Sequence, residues 1–70
     1  MKITVKIKGM DCEHCKMHVE QALSGLVGVK RAEVSLFWNK ATIEADKDIS
    51  DALLRDTIED IGYEVVAVKR

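Results

Sequence analysis

The chain has 70 residues, with 11 lysines and arginines against 12 aspartates and glutamates, no proline and two cysteines. This length makes one small domain, residues 1–70, and a chain of that size buries only about 60% of its unfolded surface. The near balance of charge excludes the basic surplus that nucleic-acid binding needs, and no apolar run approaches the ~20 residues of a membrane span.

Ile3, Val5 and Ile7 alternate with Lys2, Thr4, Lys6 and Lys8, so the chain opens on a strand with one buried face. Met1 to Lys6 alternates instead of forming the apolar core of a signal peptide, which implies a soluble, cytoplasmic protein. Gly9 ends the strand. From Cys15 the period changes, because Cys15, Val19, Ala22, Leu23 and Leu26 fall at helical spacing. The spacing predicts a helix from Glu13 to Leu26, bracketed at its end by Gly25 and Gly28. Val34 and Leu36 alternate with Glu33 and Ser35 as a second strand, and Asn39-Lys40 is a turn candidate. Ala41, Ile43 and Ala45 complete a hairpin, and Asp46-Lys47-Asp48 is a polar loop. Ser50 is a good N-cap, with Ile49 and Leu54 at hydrophobic-staple positions. Leu54, Ile58 and Ile61 give the next helix its buried face, Gly62 closes it, and Tyr63 to Val68 is a last strand. The order strand, helix, strand, strand, helix, strand makes an α+β domain of the ferredoxin-like kind. It is a four-stranded antiparallel sheet with both helices on one face.

Both cysteines lie in Gly9-Met10-Asp11-Cys12-Glu13-His14-Cys15, between the first strand and the first helix. Four readings compete for them. Cys15 opens the apolar face of the helix and suits a small buried hydrophobe, but Cys12 sits in a polar loop between Asp11 and Glu13. A thiol-disulfide oxidoreductase also places Cys-x-x-Cys at a helix N-terminus. Here no proline lies between the cysteines, no tryptophan precedes them, and the chain has no proline to supply a cis bond. Structural zinc needs about four ligands, and only Asp11, His14 and His18 stand near to complete the set. The fourth reading is a transport site for a soft ion. Two thiolates suffice for Cu(I), which prefers sulfur, and the helix N-terminus offsets the remaining negative charge. Only two ligands also leave the ion open to a partner's thiols.

Gly9-Met10-x-Cys12-x-x-Cys15 after a first strand resembles the heavy-metal-associated domain of copper chaperones and of metal-transporting P-type ATPases. The resemblance covers the whole chain, through Val19-Glu20-Gln21-Ala22-Leu23, Gly28-Val29, Val34-Ser35-Leu36, Asn39-Lys40-Ala41-Thr42-Ile43 and Ile58-Glu59-Asp60-Ile61-Gly62-Tyr63-Glu64-Val65. It implies that Cys12 and Cys15 are the metal ligands, that Met10 packs beneath the loop, and that Tyr63 lies near the site. It implies a non-enzymatic metallochaperone that passes Cu(I) to a P-type ATPase domain of similar fold, with a metal-bridged homodimer as a further partner candidate. Asp11 departs toward the zinc, cadmium and lead ATPase domains, where an aspartate supplies a carboxylate. His14 matches copper chaperones carrying Cys-x-His-Cys. A surface histidine is usually solvated polar surface, but if recruited His18 or Asp11 would suit Zn(II) better than Cu(I). The alternative ion is therefore Zn(II) or Cd(II).

Phe37 and Trp38 adjoin the hairpin turn. The reading of the pattern has Trp38 covering the sheet edge on the core side and Phe37 on the open face with Glu33 and Ser35. Lys2, Lys6, Lys8, Lys69 and Arg70 form a solvated face on the terminal strands, able to steer docking to an acidic partner. No Ser/His/Asp set, phosphate-cradling loop or carboxylate pair points to catalysis.

Overall fold

The computed structural model describes residues 1–70. The elements are β1 (Lys2–Lys8), α1 (Glu13–Ser24), β2 (Val29–Ser35), β3 (Lys40–Ala45), α2 (Asp51–Asp60) and β4 (Glu64–Lys69). The sheet order is β2-β3-β1-β4, and every neighbouring pair is antiparallel. This is the βαββαβ ferredoxin-like arrangement that the sequence pattern implies, with β1 and β3 at its centre. Alternation does the sorting. Ile3, Val5 and Ile7 of β1 and Ala41, Ile43 and Ala45 of β3 point to one face and are buried there with Val34 and Val65. Val19 and Leu23 of α1 and Leu54 and Ile58 of α2 close over them in a single core. Burying these aliphatic side chains is the main term holding so small a domain together, at roughly 1.5–3 kcal/mol for each one fully withdrawn from water.

The two helices end differently. Gly62 takes φ +98° after α2, and the Tyr63 and Gly62 amides donate to Ile58 and Glu59 carbonyls at 3.2 and 3.0 Å. This is the Schellman closure, which needs a residue without a Cβ penalty. It also fixes Tyr63 in space. At the end of α1 the last residue is Ser24, not Leu26. The Leu26 amide turns back to the Leu23 carbonyl at 3.1 Å, which pulls Leu26 toward the core and out of helical geometry.

The hairpin corrects the sequence reading most. β2 begins at Val29, five residues before Val34, and Leu36 has left the strand. Residues 36–39 form the turn. The Ser35 hydroxyl accepts from the Trp38 amide at 3.3 Å, and Asn39 takes φ +52°. The turn lifts both aromatic residues off the sheet. Trp38 is 63% exposed and does not cover the core edge, and Phe37 is 81% exposed at the tip, edge-on to Trp38 at 4.8 Å. Arg70 also leaves the solvated face assigned to it. It pairs with Asp48 at 2.9 Å and Asp51 at 2.5 Å and donates to the Ile49 carbonyl.

Candidate metal centre

The loop between β1 and α1 is shaped at both ends. Gly9 takes φ +103°, and a Cβ there would stand 3.5 Å from the Tyr63 ring. The left-handed backbone reverses the chain, a conformation glycine adopts without a Cβ penalty. Met10 is buried in the core, 4% exposed, and anchors the loop from beneath. At the other end Cys12 is the N-cap of α1, with extended backbone (φ −148°, ψ 164°). Its Sγ accepts from the Cys15 amide at 3.3 Å, and its carbonyl accepts from the Lys16 amide at 3.1 Å. Aspartate is a far better cap than cysteine, so sequence preference favours Asp11 for that place. The structure gives it to the sulfur.

Capping brings the two thiols together. The sulfur atoms stand 2.7 Å apart and share a hydrogen bond. Cys12 is exposed, and Cys15 is half-buried against the core. Asp11 Oδ1 lies 3.8 Å from Cys15 Sγ. Asp11, Cys12 and Cys15 each offer one ligand atom within 4.8 Å of the others. His14 and His18 are exposed on α1 and lie outside this cluster. The helix N-terminus directs unpaired amides and about half a positive charge at the sulfurs.

The protons divide unequally between the thiols. The hydrogen bond from Cys12 holds the Cys15 thiol below its ordinary value, and the nearby Tyr63 hydroxyl adds to the effect. The same shared hydrogen bond pushes Cys12 up. Tyr63 is pushed up to about 12 by its interaction with Cys15. The two thiols therefore release their protons in two steps, each depending on the other. The two steps belong to the pair. A soft, monovalent or divalent cation that displaces the remaining proton suits this donor set.

One contact was not legible beforehand. With its amide nitrogen turned toward the loop, Asn39 donates to the Met10 carbonyl at 3.0 Å and the Leu36 carbonyl at 3.2 Å. The Ile7 amide donates to the Asn39 carbonyl at 2.8 Å. The hairpin turn and the cysteine loop are thus tied at one end of the sheet. Asn at a turn, read locally, signals only φ > 0.

The profile of the heavy-metal-associated domain matches residues 4–64. The chain is 43% identical over 63 residues to the copper chaperone CopZ of Staphylococcus saprophyticus, which covers 89% of this chain and 93% of that protein. Among solved structures, a CopZ metallochaperone superposes with a TM-score of 0.86 at 36% identity, covering 94% of this chain and all of that one. A copper-binding domain from HMA7, a P-type ATPase, gives a TM-score of 0.84 at 35% identity and covers 99% of this chain and 97% of that domain.

Proposed function

The chain belongs to the heavy-metal-associated domain family, and from that premise we propose that it is a metallochaperone carrying one Cu(I) through Cys12 and Cys15. It works in the cytoplasm and hands the ion by ligand exchange to a domain of similar fold on a metal-transporting P-type ATPase. The observation that carries the reading is the close sulfur pair at the N-terminus of α1, with Cys12 exposed. The relatives named copper chaperone support the choice of ion, and the ATPase domain of the same shape supports the choice of acceptor.

The chemistry follows from the placement of each group. Sulfur–metal bonds are of the order of 2.3 Å, so taking an ion means the sulfurs separate from 2.7 Å toward opposite sides of it. Cys12 is free to swing because it is exposed, while Cys15 is held against the core. An incoming thiolate reaches the ion on the Cys12 side, forms a three-coordinate intermediate, and displaces Cys12 first. Cys15, packed against the core, is the last donor to let go. The fold does not depend on the ion, since no core residue ligates it, and no catalytic step is required. Competition against Cu(I) chelators tests the assignment. Cys12→Ser and Cys15→Ser should each lose tight Cu(I) binding while keeping the native circular dichroism. Stoichiometric tight binding in either variant would overturn it.

A second reading has one specific observation in its favour. Asp11 stands with both sulfurs as a third donor, and a carboxylate suits Zn(II) or Cd(II) better than Cu(I). Asp11→Ala should leave Cu(I) affinity within a few-fold and weaken Zn(II). A large loss of Cu(I) affinity in that variant would favour the zinc reading. Turnover on disulfide substrates would move the protein to the oxidoreductases instead.

A further inference from the structure

The open face of the sheet carries a charge pattern that the fold does not require. Lys6 of β1 and Lys40 of β3 are direct cross-strand partners, and Lys69 of β4 stands opposite Thr4. Like charges placed opposite one another weaken a sheet. None of these three lysines has an acidic partner. The ion pairs of the chain lie elsewhere, at Lys30–Asp46, Arg31–Glu44 and Arg70 with Asp48 and Asp51. Lys8 differs, because Glu64 faces it across the β1–β4 ladder. Thr4, Lys6, Lys40 and Lys69 together line a shallow hollow of about 290 Å³.

Lys6 also borders a second hollow, of about 390 Å³, at the cysteine-loop end of the same face. Ile7 and Met10 line it, with Trp38 and Val66. Trp38 is there because the turn lifts it off the core. Val66 is there because β4 has one residue more than β1 between the pairs Lys6–Ala67 and Ile7–Val65. The bulge leaves Val66 unpaired and 59% exposed. Two irregularities of the fold therefore place exposed apolar groups around one concavity, beside a cluster of uncompensated cations.

We propose that this end of the open sheet face is a docking surface for an acidic polypeptide, which seats one apolar side chain between Trp38 and Val66 while its carboxylates meet Lys6, Lys40 and Lys69. Concavity favours a polypeptide over a bilayer, because a hollow of this size accepts a side chain and a membrane surface cannot enter it. A nucleic acid would meet Glu33 and Glu44 on the same face. The surface needs no ion bound, so it stands or falls apart from the metal reading. Its position next to Asp11 means that a docked chain lies alongside the cysteine loop.

The experiment uses metal-free protein and its one tryptophan, Trp38, as the reporter. The probe is the peptide acetyl-Asp-Glu-Leu-Glu-Asp-amide, with acetyl-Asn-Gln-Leu-Gln-Asn-amide as its neutral counterpart. The acidic peptide should give a saturable blue shift that weakens with added salt, and the neutral peptide should give none. Lys6→Gln with Lys40→Gln should lower the affinity roughly tenfold, with a thermal midpoint no lower than that of the parent as the check on folding. Lys47→Gln, outside the hollow, should not lower it. The proposal is overturned by an absence of any saturable shift, by equal response to both peptides, or by an affinity unchanged in the Lys6/Lys40 variant. It is equally overturned if only vesicles of phosphatidylcholine with phosphatidylglycerol shift the emission.

Discussion

The two strand-to-helix junctions of the repeat are built on one device and used for opposite ends. At the first, Cys12 caps α1 through its Sγ, which accepts from the Cys15 amide at 3.3 Å. At the second, Ser50 caps α2 through its Oγ, which accepts from the Leu53 amide at 3.2 Å. In both the cap has extended backbone and follows a buried apolar residue, Met10 two positions before Cys12 and Ile49 directly before Ser50. The difference lies in what surrounds the cap. Arg70 closes the second junction by gripping Asp48, Asp51 and the Ile49 carbonyl. No cation closes the first, where Asp11, Cys12 and Glu13 are all exposed. A helix N-terminus left open can receive an ion, and one tied down contributes only to stability.

Exchanging the caps breaks the comparison most sharply. Cys12→Ser removes a soft donor but supplies a better N-cap. Tight Cu(I) binding should vanish while the thermal midpoint stays level or rises. Ser50→Cys should keep the fold and gain no tight Cu(I) site, because a lone sulfur beside Leu53 has no second thiolate. A drop of several degrees in the midpoint of Cys12→Ser would mean that the sulfur holds α1 in some way a hydroxyl cannot.

The next effect concerns the entry to the first junction. Gly9→Ala places a methyl group at φ +103° and against the Tyr63 ring. Backbone held in that region by a non-glycine residue costs about 1–3 kcal/mol. Denaturant midpoints should fall accordingly. Unchanged stability would show that the loop has another conformation open to it.

Much of this contrast was legible in the sequence. The period-two run of Ile3, Val5 and Ile7 and the helical spacing of Leu54 and Ile58 identified the core faces, because burial enforces those periods along the chain. Ser50 and Gly62 marked both ends of α2, since capping is local chemistry. The cysteine pair stood out by spacing alone. What escaped was set by tertiary context. Trp38 reads as a core residue by type, yet a four-residue turn carries it outward. Arg70 reads as one more basic residue of the last strand, and only the packing of that strand beside α2 delivers it to Asp48 and Asp51. The Asn39 amide reaches the Met10 carbonyl across 29 positions of sequence (39 − 10). No local pattern encodes such a meeting.

The smallest expected effect tests the closed junction. Arg70 is a terminal side chain, about one third exposed, and its two aspartate partners are more exposed still. Ion pairs in such settings are weak, because water screens the charges and ordering the side chain costs entropy. Arg70 has one advantage over an ordinary surface pair: it also donates to the Ile49 carbonyl, where the chain enters α2. The aspartates push the guanidinium further up from a value already far above neutral, so its charge is constant. Arg70→Ala should lower the thermal midpoint by less than Gly9→Ala does, and the loss should shrink in concentrated salt. Cu(I) affinity should not move, because the grip lies at the other junction. A change in Cu(I) affinity would show that the two halves of the repeat are coupled through the sheet, and that the second junction does more than stabilise.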